Sequence, residues 1–236
     1  PLGLKKQLRV QEIAAENRLP LIYLVESGGG NLQLQSETFV DGGRMFKNQA
    51  RLSAAGVPQI SVVHGSSTAG GAYLPGLSDY VIMVRNRAKV FLAGPPLLKA
   101  ATGEIATDEE LGGAELHSIT SGVSDFMGED DVEALECARR IVAGLGWSDG
   151  PSGRSFAEPL YDPDELAGVV PVDFRKSYDV REVIARLVDG SEFLDFKANY
   201  GATTVCGQAE VHGHPVAFIG NNGPIDADGA AKAGQF

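Results

Sequence analysis

Cysteine is scarce in this sequence: Cys137 and Cys206 are the only two, far apart and without a C-x-x-C partner. That pattern gives no basis for a disulfide framework or a structural zinc site, and two buried apolar thiols in a reducing compartment are expected instead. Cationic charge is short as well. Lys and Arg number 20 against 31 Asp and Glu, a formal net charge of -11 with a pI near 4.8. Nucleic acid and anionic membrane, which demand a basic face, are therefore not the expected partners. No apolar run reaches the length of a membrane span, and no secretory signal opens the sequence.

Three chemical signatures are also missing. No G-x-x-x-x-G-K-[ST] run exists to cradle phosphates. Gly65-Ser66-Ser67-Thr68-Ala69 ends in alanine where a nucleophile elbow needs glycine. Gly28-Gly29-Gly30 lacks the third glycine of a dinucleotide fingerprint, because position 33 is Gln. No acid–base pair and no Ser/His/Asp set stands out. A reaction that relies on backbone donors and on a cofactor's own base leaves such a signature. His212 and His214 sit two apart on an expected strand, facing one way. With no carboxylate or thiolate cluster beside them they read as surface residues, and no metal is expected in the chain.

What is present is a globular balance, 43% hydrophobic and 22% charged over 236 residues, enough for one large domain or two small ones. Leu4 to Arg18 has the apolar spacing of a helix stopped by Pro20. Leu21 to Val25 is a continuous apolar run, expected to be a strand buried on both faces. A helix is expected over Arg44 to Ala55, ended by Gly56 and Pro58, and a second buried strand over Gln59 to Val63. Further elements are a helix from about Ala72, strands Tyr80–Val84 and Lys89–Leu92, a helix from Pro95 to Ala101 and another from Asp130 to Leu145. Alternating strands and helices with short glycine connections mean an α/β architecture. Gly146 to Asp173, rich in Pro and Gly, reads as a linker with at most one helical turn. A helix over Val180–Val188 and strands Thr203–Val211 and Pro215–Gly220 follow. Gly229-Ala-Ala-Lys232 echoes Gly3-Leu-Lys-Lys6, a faint internal repeat. Pro1 enters a helical pattern at once, and 229–236 read as a helix that stops midway, so the sequence is read as a piece of a longer chain.

The two glycine loops carry the functional reading. Each follows a buried strand: Ser27-Gly28-Gly29-Gly30, and Ser67-Thr-Ala-Gly-Gly-Ala-Tyr73. Bare amides at a strand-to-helix junction, with the positive end of a helix dipole, make a site for developing negative charge on a carbonyl oxygen. The alternative is that both loops are merely tight turns.

Several stretches resemble the carboxyltransferase β subunits of biotin-dependent acyl-CoA carboxylases. They are Glu26-Ser-Gly-Gly-Gly-Asn-Leu32, Gly43-Arg-Met-Phe-Lys-Asn-Gln-Ala50, Val63 through Tyr73, Phe91-Leu-Ala-Gly-Pro-Pro-Leu-Leu-Lys-Ala-Ala-Thr-Gly-Glu104, Leu111 through His117 with Ser121-Gly-Val123, and Gly220-Asn-Asn-Gly-Pro224. The Ala93–Glu104 run is most similar to the branch that carboxylates 3-methylcrotonyl-CoA or geranyl-CoA. Gly30, where alanine is usual, and Leu77-Ser78 are closer to the geranyl-CoA side.

The resemblance implies an α/β, crotonase-like fold, a spiral of ββα units, with a second crotonase-like domain beginning near the C-terminus. It implies the later part of an N-terminal domain at 1–150, a linker at 151–178 and the beginning of a C-terminal domain at 179–236. The implied reaction moves CO2 from carboxybiotin to an acyl-CoA through an enolate. Gly70 and Gly71 would hold the enolate oxygen, with Ala69 shaping the loop. Gly29 and Gly30 would line the pocket, and Tyr73, Ala93, Gly94 and Pro95 the acyl or biotin side. Biotin would arrive on an α subunit bearing biotin carboxylase and carrier functions, with β subunits in a homo-oligomer whose active sites lie between subunits. The compartment implied is bacterial cytoplasm, or the mitochondrial matrix in a eukaryote. Lys99 is read as complementing a helix C-terminus. Arg44 and Arg51, on one helix face, are read either as solvated or as CoA-phosphate contacts. Two rivals stay open: an enoyl-CoA hydratase or isomerase, for which Glu104 is the candidate acid–base group, and an inactive scaffolding fragment. The 236 residues alone are expected to be inactive.

Overall fold

The computed structural model describes residues 1–147, 156–173 and 175–236. They fall into two compact units, Pro1–Ala138 and Arg139–Phe236.

The first unit is built on a parallel sheet. Its strands are β1 (Leu21–Ser27), β2 (Gln59–Thr68), β3 (Tyr80–Val84), β4 (Lys89–Phe91) and β5 (Phe126–Gly128), in the order β1-β2-β3-β5, with β4 pairing β2. All these pairings are parallel. β2 is the centre. Residues 60–63 pair with β3, and Ser66–Thr68 then pair with β4. Ile60, Val62, Val63, Ile82, Met83 and Val84 are fully buried, as expected for strands covered on both faces.

Helices α1 (Leu2–Asn17) and α2 (Gln35–Ala54) pack on one face. α1 turns inward Leu8, Gln11 and Ala14, and α2 turns inward Met45, Gln49 and Leu52, the helical spacing of a buried stripe. α3 (Tyr73–Gly76), α4 (Pro95–Thr102), α5 (Asp108–Gly112), α6 (Ala114–Ile119) and α7 (Asp131–Gly144) complete the order.

A buried polar chain ties these layers together. Gln11 donates to the Tyr23 hydroxyl and to the Met45 carbonyl, and Tyr23 donates to Gln59 Oε1. Gln59 donates to the Gln49 carbonyl, and Gln49 to that of Leu74. Burial pushes the Tyr23 phenol up to about 12, so it stays a donor.

Four expectations need correction. β1 is not buried on both faces: its pattern alternates, with Ile22 and Leu24 exposed. α2 begins nine residues before the expected Arg44, its first turns masked by Gly42-Gly43. β2 runs on through Gly65-Ser66-Ser67-Thr68, expected to be loop, because β1 and β4 supply partners there. The helix expected from Ala72 is a 3-10 turn, Ala69–Ala72, followed by the four-residue α3.

In the second unit a 3-10 turn at Pro163–Glu165 and α8 (Leu166–Val169) occupy part of the expected linker; its residues 148–155 and 174 lie outside the described residues. α9 (Val180–Ile184) precedes an antiparallel sheet of β6 (Leu194–Phe196), β7 (Thr204–Val211) and β8 (His214–Asn221). Ile184, Val188 and Val205 form its core, with Phe193 and Phe218 packed against them. β7 and β8 join through the two residues His212 and Gly213, both at positive φ, as a type I′ hairpin turn requires. His212 is therefore in a turn, not on a strand with His214. The Asp189 carboxylate accepts both turn amides, at 2.8 and 2.6 Å.

α10 (Ala227–Gln235) closes the order, N-capped by Asp226. Its Lys232 is fully buried and donates to the carbonyls of Lys197 and Tyr200 at 2.9 and 3.2 Å. Cys206 is buried and Cys137 half-buried, so only one of the two thiols sits in a fully buried place. Among the described residues no helix is long and apolar enough to cross a membrane, and no group of three or more His, Cys, Asp or Glu could hold a metal ion.

Candidate functional site

Parallel pairing puts the C-terminal ends of β1 and β2 side by side, Ser27 opposite Ser67. The loops that leave them therefore meet. A Cβ at Gly29 would lie 3.6 Å from both Ala69 Cβ and the Thr68 carbonyl. Gly29 has φ +96 and needs glycine for that reason; its amide donates to Ser27 Oγ at 3.2 Å. Gly71 is packed still more tightly. A Cβ there would come within 2.8 Å of Ser27 Cβ and 2.9 Å of Ser27 Oγ.

Ala69 holds a left-handed conformation, φ +54, costly for any residue with a side chain. A left-handed residue leading into a 3-10 turn lines up successive amides, the kind of backbone concavity that accepts anions. The expected helix dipole contributes little, because α3 is a single turn and the macrodipole is a sum over aligned peptides. The donors here are local amides.

The other expected residues gather around this point. The Tyr73 ring is half exposed and lies 5.3 Å, centroid to centroid, from Phe46 of α2. Phe91, which leads into the turn Ala93-Gly94-Pro95, pairs with Thr68. Gly94 caps α4 and packs close to the Phe91 ring, and Pro95 takes the first helical position. His117 Nε2 lies 2.7 Å from the Val90 carbonyl of the same strand. Gly28, Gly30 and Gly70 have open space where a Cβ would stand, so bare backbone is presented. Lys99 lies in the last turn of α4, the complement expected. Arg44 pairs with Asp41, which favours the solvated reading for it.

Several neighbours were not singled out from sequence: Ser27, Ser67, Phe46, Glu26 and the His64–Asp131 pair. A Cβ at Gly65 would meet Glu26 Oε1 at 2.9 Å, so a carboxylate lies over that strand. His64 Nδ1 is 2.7 Å from Asp131 Oδ1, and Arg87 bonds the other carboxylate oxygen at 2.5 Å. The hydrogen bonds from His64 and then Arg87 hold the Asp131 carboxyl below its ordinary value. Nothing in the sequence flags such pairs, because their members lie tens of residues apart.

The carboxyl transferase domain family matches residues 1–236. The mitochondrial methylcrotonoyl-CoA carboxylase beta chain of Dictyostelium discoideum is 54% identical, over 100% of this chain and 41% of its own length. The crystal structure of the Pseudomonas aeruginosa geranyl-CoA carboxylase beta subunit is 58% identical, over 100% of this chain and 45% of that one, with a TM-score of 0.59. The transcarboxylase 12S structure, solved with methylmalonyl-coenzyme A and methylmalonic acid bound, is 34% identical over 99% and 47%, with a TM-score of 0.91. The chain thus spans less than half the length of the relatives it matches. The expected crotonase-like α/β fold is borne out. With its parallel sheet and paired glycine loops, the chain belongs to the carboxyl transferase domain family.

Proposed function

We propose that this chain supplies the acyl-CoA-activating part of a carboxyltransferase acting on a branched, unsaturated acyl-CoA of the 3-methylcrotonyl or geranyl type. The observation that carries the reading is the meeting of two glycine loops at the ends of β1 and β2, Gly29 against Ala69 and Gly71 against Ser27.

The chemistry follows from that geometry. Removing a proton from the acyl group, at the γ methyl of a 3-methylcrotonyl substrate, drives charge onto the thioester oxygen. Amides at Gly70 and Gly71 are the donors assigned to that oxygen, with Ala69 fixing their direction. One such donor is worth on the order of 3 kcal/mol in related sites. Gly29 and Gly30 give the pocket a backbone wall, while Tyr73 and the Ala93-Gly94-Pro95 turn border the acyl or biotin side. Carboxybiotin, carried by a partner subunit, would supply both the CO2 and the base, which fits a site whose contribution is bare backbone with open space at Gly28, Gly30 and Gly70. No metal is assigned to this chain.

The assembly proposed is a homo-oligomer of β subunits with a biotin carboxylase and carrier α subunit, in bacterial cytoplasm or the mitochondrial matrix. Residues 1–150 would be the later part of the N-terminal carboxyltransferase domain, 151–178 a linker and 179–236 the start of the C-terminal domain. Glu104, the group a hydratase would need, is exposed in the segment after α4, so no observation favours that rival.

Chain length is addressed by α2. Gly42 lies one turn before Phe46, on the side of the helix that meets Tyr73, and its Cβ would touch nothing within 4 Å. Glycine inside a helix costs about 0.5–1 kcal/mol against alanine, and no close neighbour demands it here. It keeps room beside Tyr73 for a longer acyl chain. Gly42→Leu is expected to lower kcat/KM for geranyl-CoA about tenfold more than for 3-methylcrotonyl-CoA, as two or three kcal/mol-scale methylene contacts are lost or blocked. Equal effects on the two substrates would remove Gly42 from the acyl pocket.

The test of the function itself places these 236 residues in a chain of the relatives' full length, mixed with the biotin-bearing partner, ATP and labelled bicarbonate. Label is expected on 3-methylcrotonyl- or geranyl-CoA. Label chiefly on propionyl- or acetyl-CoA would keep the reaction and overturn the branch. Hydration of an enoyl-CoA without fixation would overturn the carboxyltransferase reading.

A further inference from the structure

The loop that presents Gly70 and Gly71 has little stability of its own. It is one 3-10 turn and one turn of α-helix, both too short to hold a geometry unaided, and it starts from a left-handed alanine. Something outside it must set its direction.

Ser67 is placed to do so. It is fully buried in β2, between Ser27 of β1 and Val90 of β4. Its Oγ donates to the Gly71 carbonyl at 2.9 Å, which also accepts the Tyr73 amide. With solvent shut out, the hydroxyl's one proton has this partner, and a buried donor is costly to leave unpaired. At the loop's far end, fully buried Gln49 donates to the Leu74 carbonyl at 3.1 Å, joined there by Ser78 Oγ at 2.9 Å. The segment from Gly71 to Leu74 is gripped at both ends by side chains from elements that do not move with it.

We propose that Ser67 is a positioning residue: its hydroxyl fixes the Gly71 peptide and, through it, the amides that face the thioester oxygen, with Gln49 anchoring the other end. This rests on the carboxyltransferase reading. Because Ser67 touches only backbone, its loss should cost turnover and leave acyl-CoA binding intact. Misdirected donors weaken transition-state contacts more than ground-state ones.

The experiment uses the full-length chain with its biotin-bearing partner. Ser67→Ala is expected to lower kcat about tenfold with KM for the acyl-CoA within about twofold, a partial loss of one oxyanion donor. Ser67→Thr, which keeps the hydroxyl, is expected to recover most of that loss. Parental kcat in Ser67→Ala, or a KM that rises as kcat falls, overturns the proposal. Should Ser67→Thr crowd the strand and melt early, hydrogen exchange of the Gly70 and Gly71 amides in Ser67→Ala decides. Faster exchange supports the brace and unchanged exchange overturns it. If the parent protein itself fixes no label with any acyl-CoA, the carboxyltransferase reading has failed. The exchange measurement still decides whether Ser67 holds the loop.

Discussion

Gly71→Ala is expected to lower kcat/KM for carboxylation by about a hundredfold or more, the scale of one lost oxyanion donor. The reason is space. A Cβ at Gly71 would sit 2.8 Å from Ser27 Cβ and 2.9 Å from its Oγ, closer than real side chains approach. Ser27 cannot swing away freely, because its Oγ accepts the Gly29 amide and the residue ends a paired strand. The two loops must therefore part, and displacement by about an ångström at a reacting centre costs roughly a hundredfold. Label fixation at saturating and limiting acyl-CoA would measure it. Parental kinetics in the Gly71→Ala variant would mean that the junction of the two loops is not the site.

The second large effect is on stability. Lys232→Met is expected to destabilise the second unit by about 2–4 kcal/mol, since each of two buried carbonyls left without a donor costs about 1–3 kcal/mol. Those carbonyls, of Lys197 and Tyr200, belong to a turn in which Lys197 and Gly201 both take positive φ, so the turn has no regular ladder to fall back on. Methionine fills the volume of the lysine stem, which isolates the loss of the donor. Burial lowers the Lys232 ammonium below its ordinary 10.5, while Asp195 pulls it partly back. The unfolded chain therefore holds that proton more tightly. This one group makes the fold more stable as pH rises through the native value toward 10.5, and Lys232→Met should abolish that rise. Denaturant melts from neutral to alkaline pH would show both effects. Equal midpoints for parent and variant would refute them.

How much could be read from the residues alone depended on local chemistry. The runs at Leu21–Val25, Gln59–Val63 and Tyr80–Val84 announced the parallel sheet because strands covered by helices are continuously apolar. Yet β1 leaves Ile22 and Leu24 open on one face, which an apolar run cannot reveal. α5, α6, β5 and β6 went unseen because three to six residues are too few to show a period. One signal was available and unused: Thr107-x-x-Glu110 forms a capping box that starts α5. At the site, the glycines were legible because bare backbone needs them. Ser67 was not, since a serine in a small-residue stretch reads as turn until a neighbouring strand is known to pair with it. Phe46 and Gly42 were hidden inside a helix whose first turns glycine disguised.

The long β2 has a consequence for the newborn protein. Its pairings reach back to Leu21 and forward to Phe91, so the strand that bears the loop cannot be completed while the chain is still short on the ribosome. Ser66–Thr68 acquire their outer partner only when Lys89–Phe91 have emerged. Until then the loop's base hangs on one neighbour. The reacting centre is thus among the later parts of the first unit to take shape during synthesis, whatever the order in which its residues are translated.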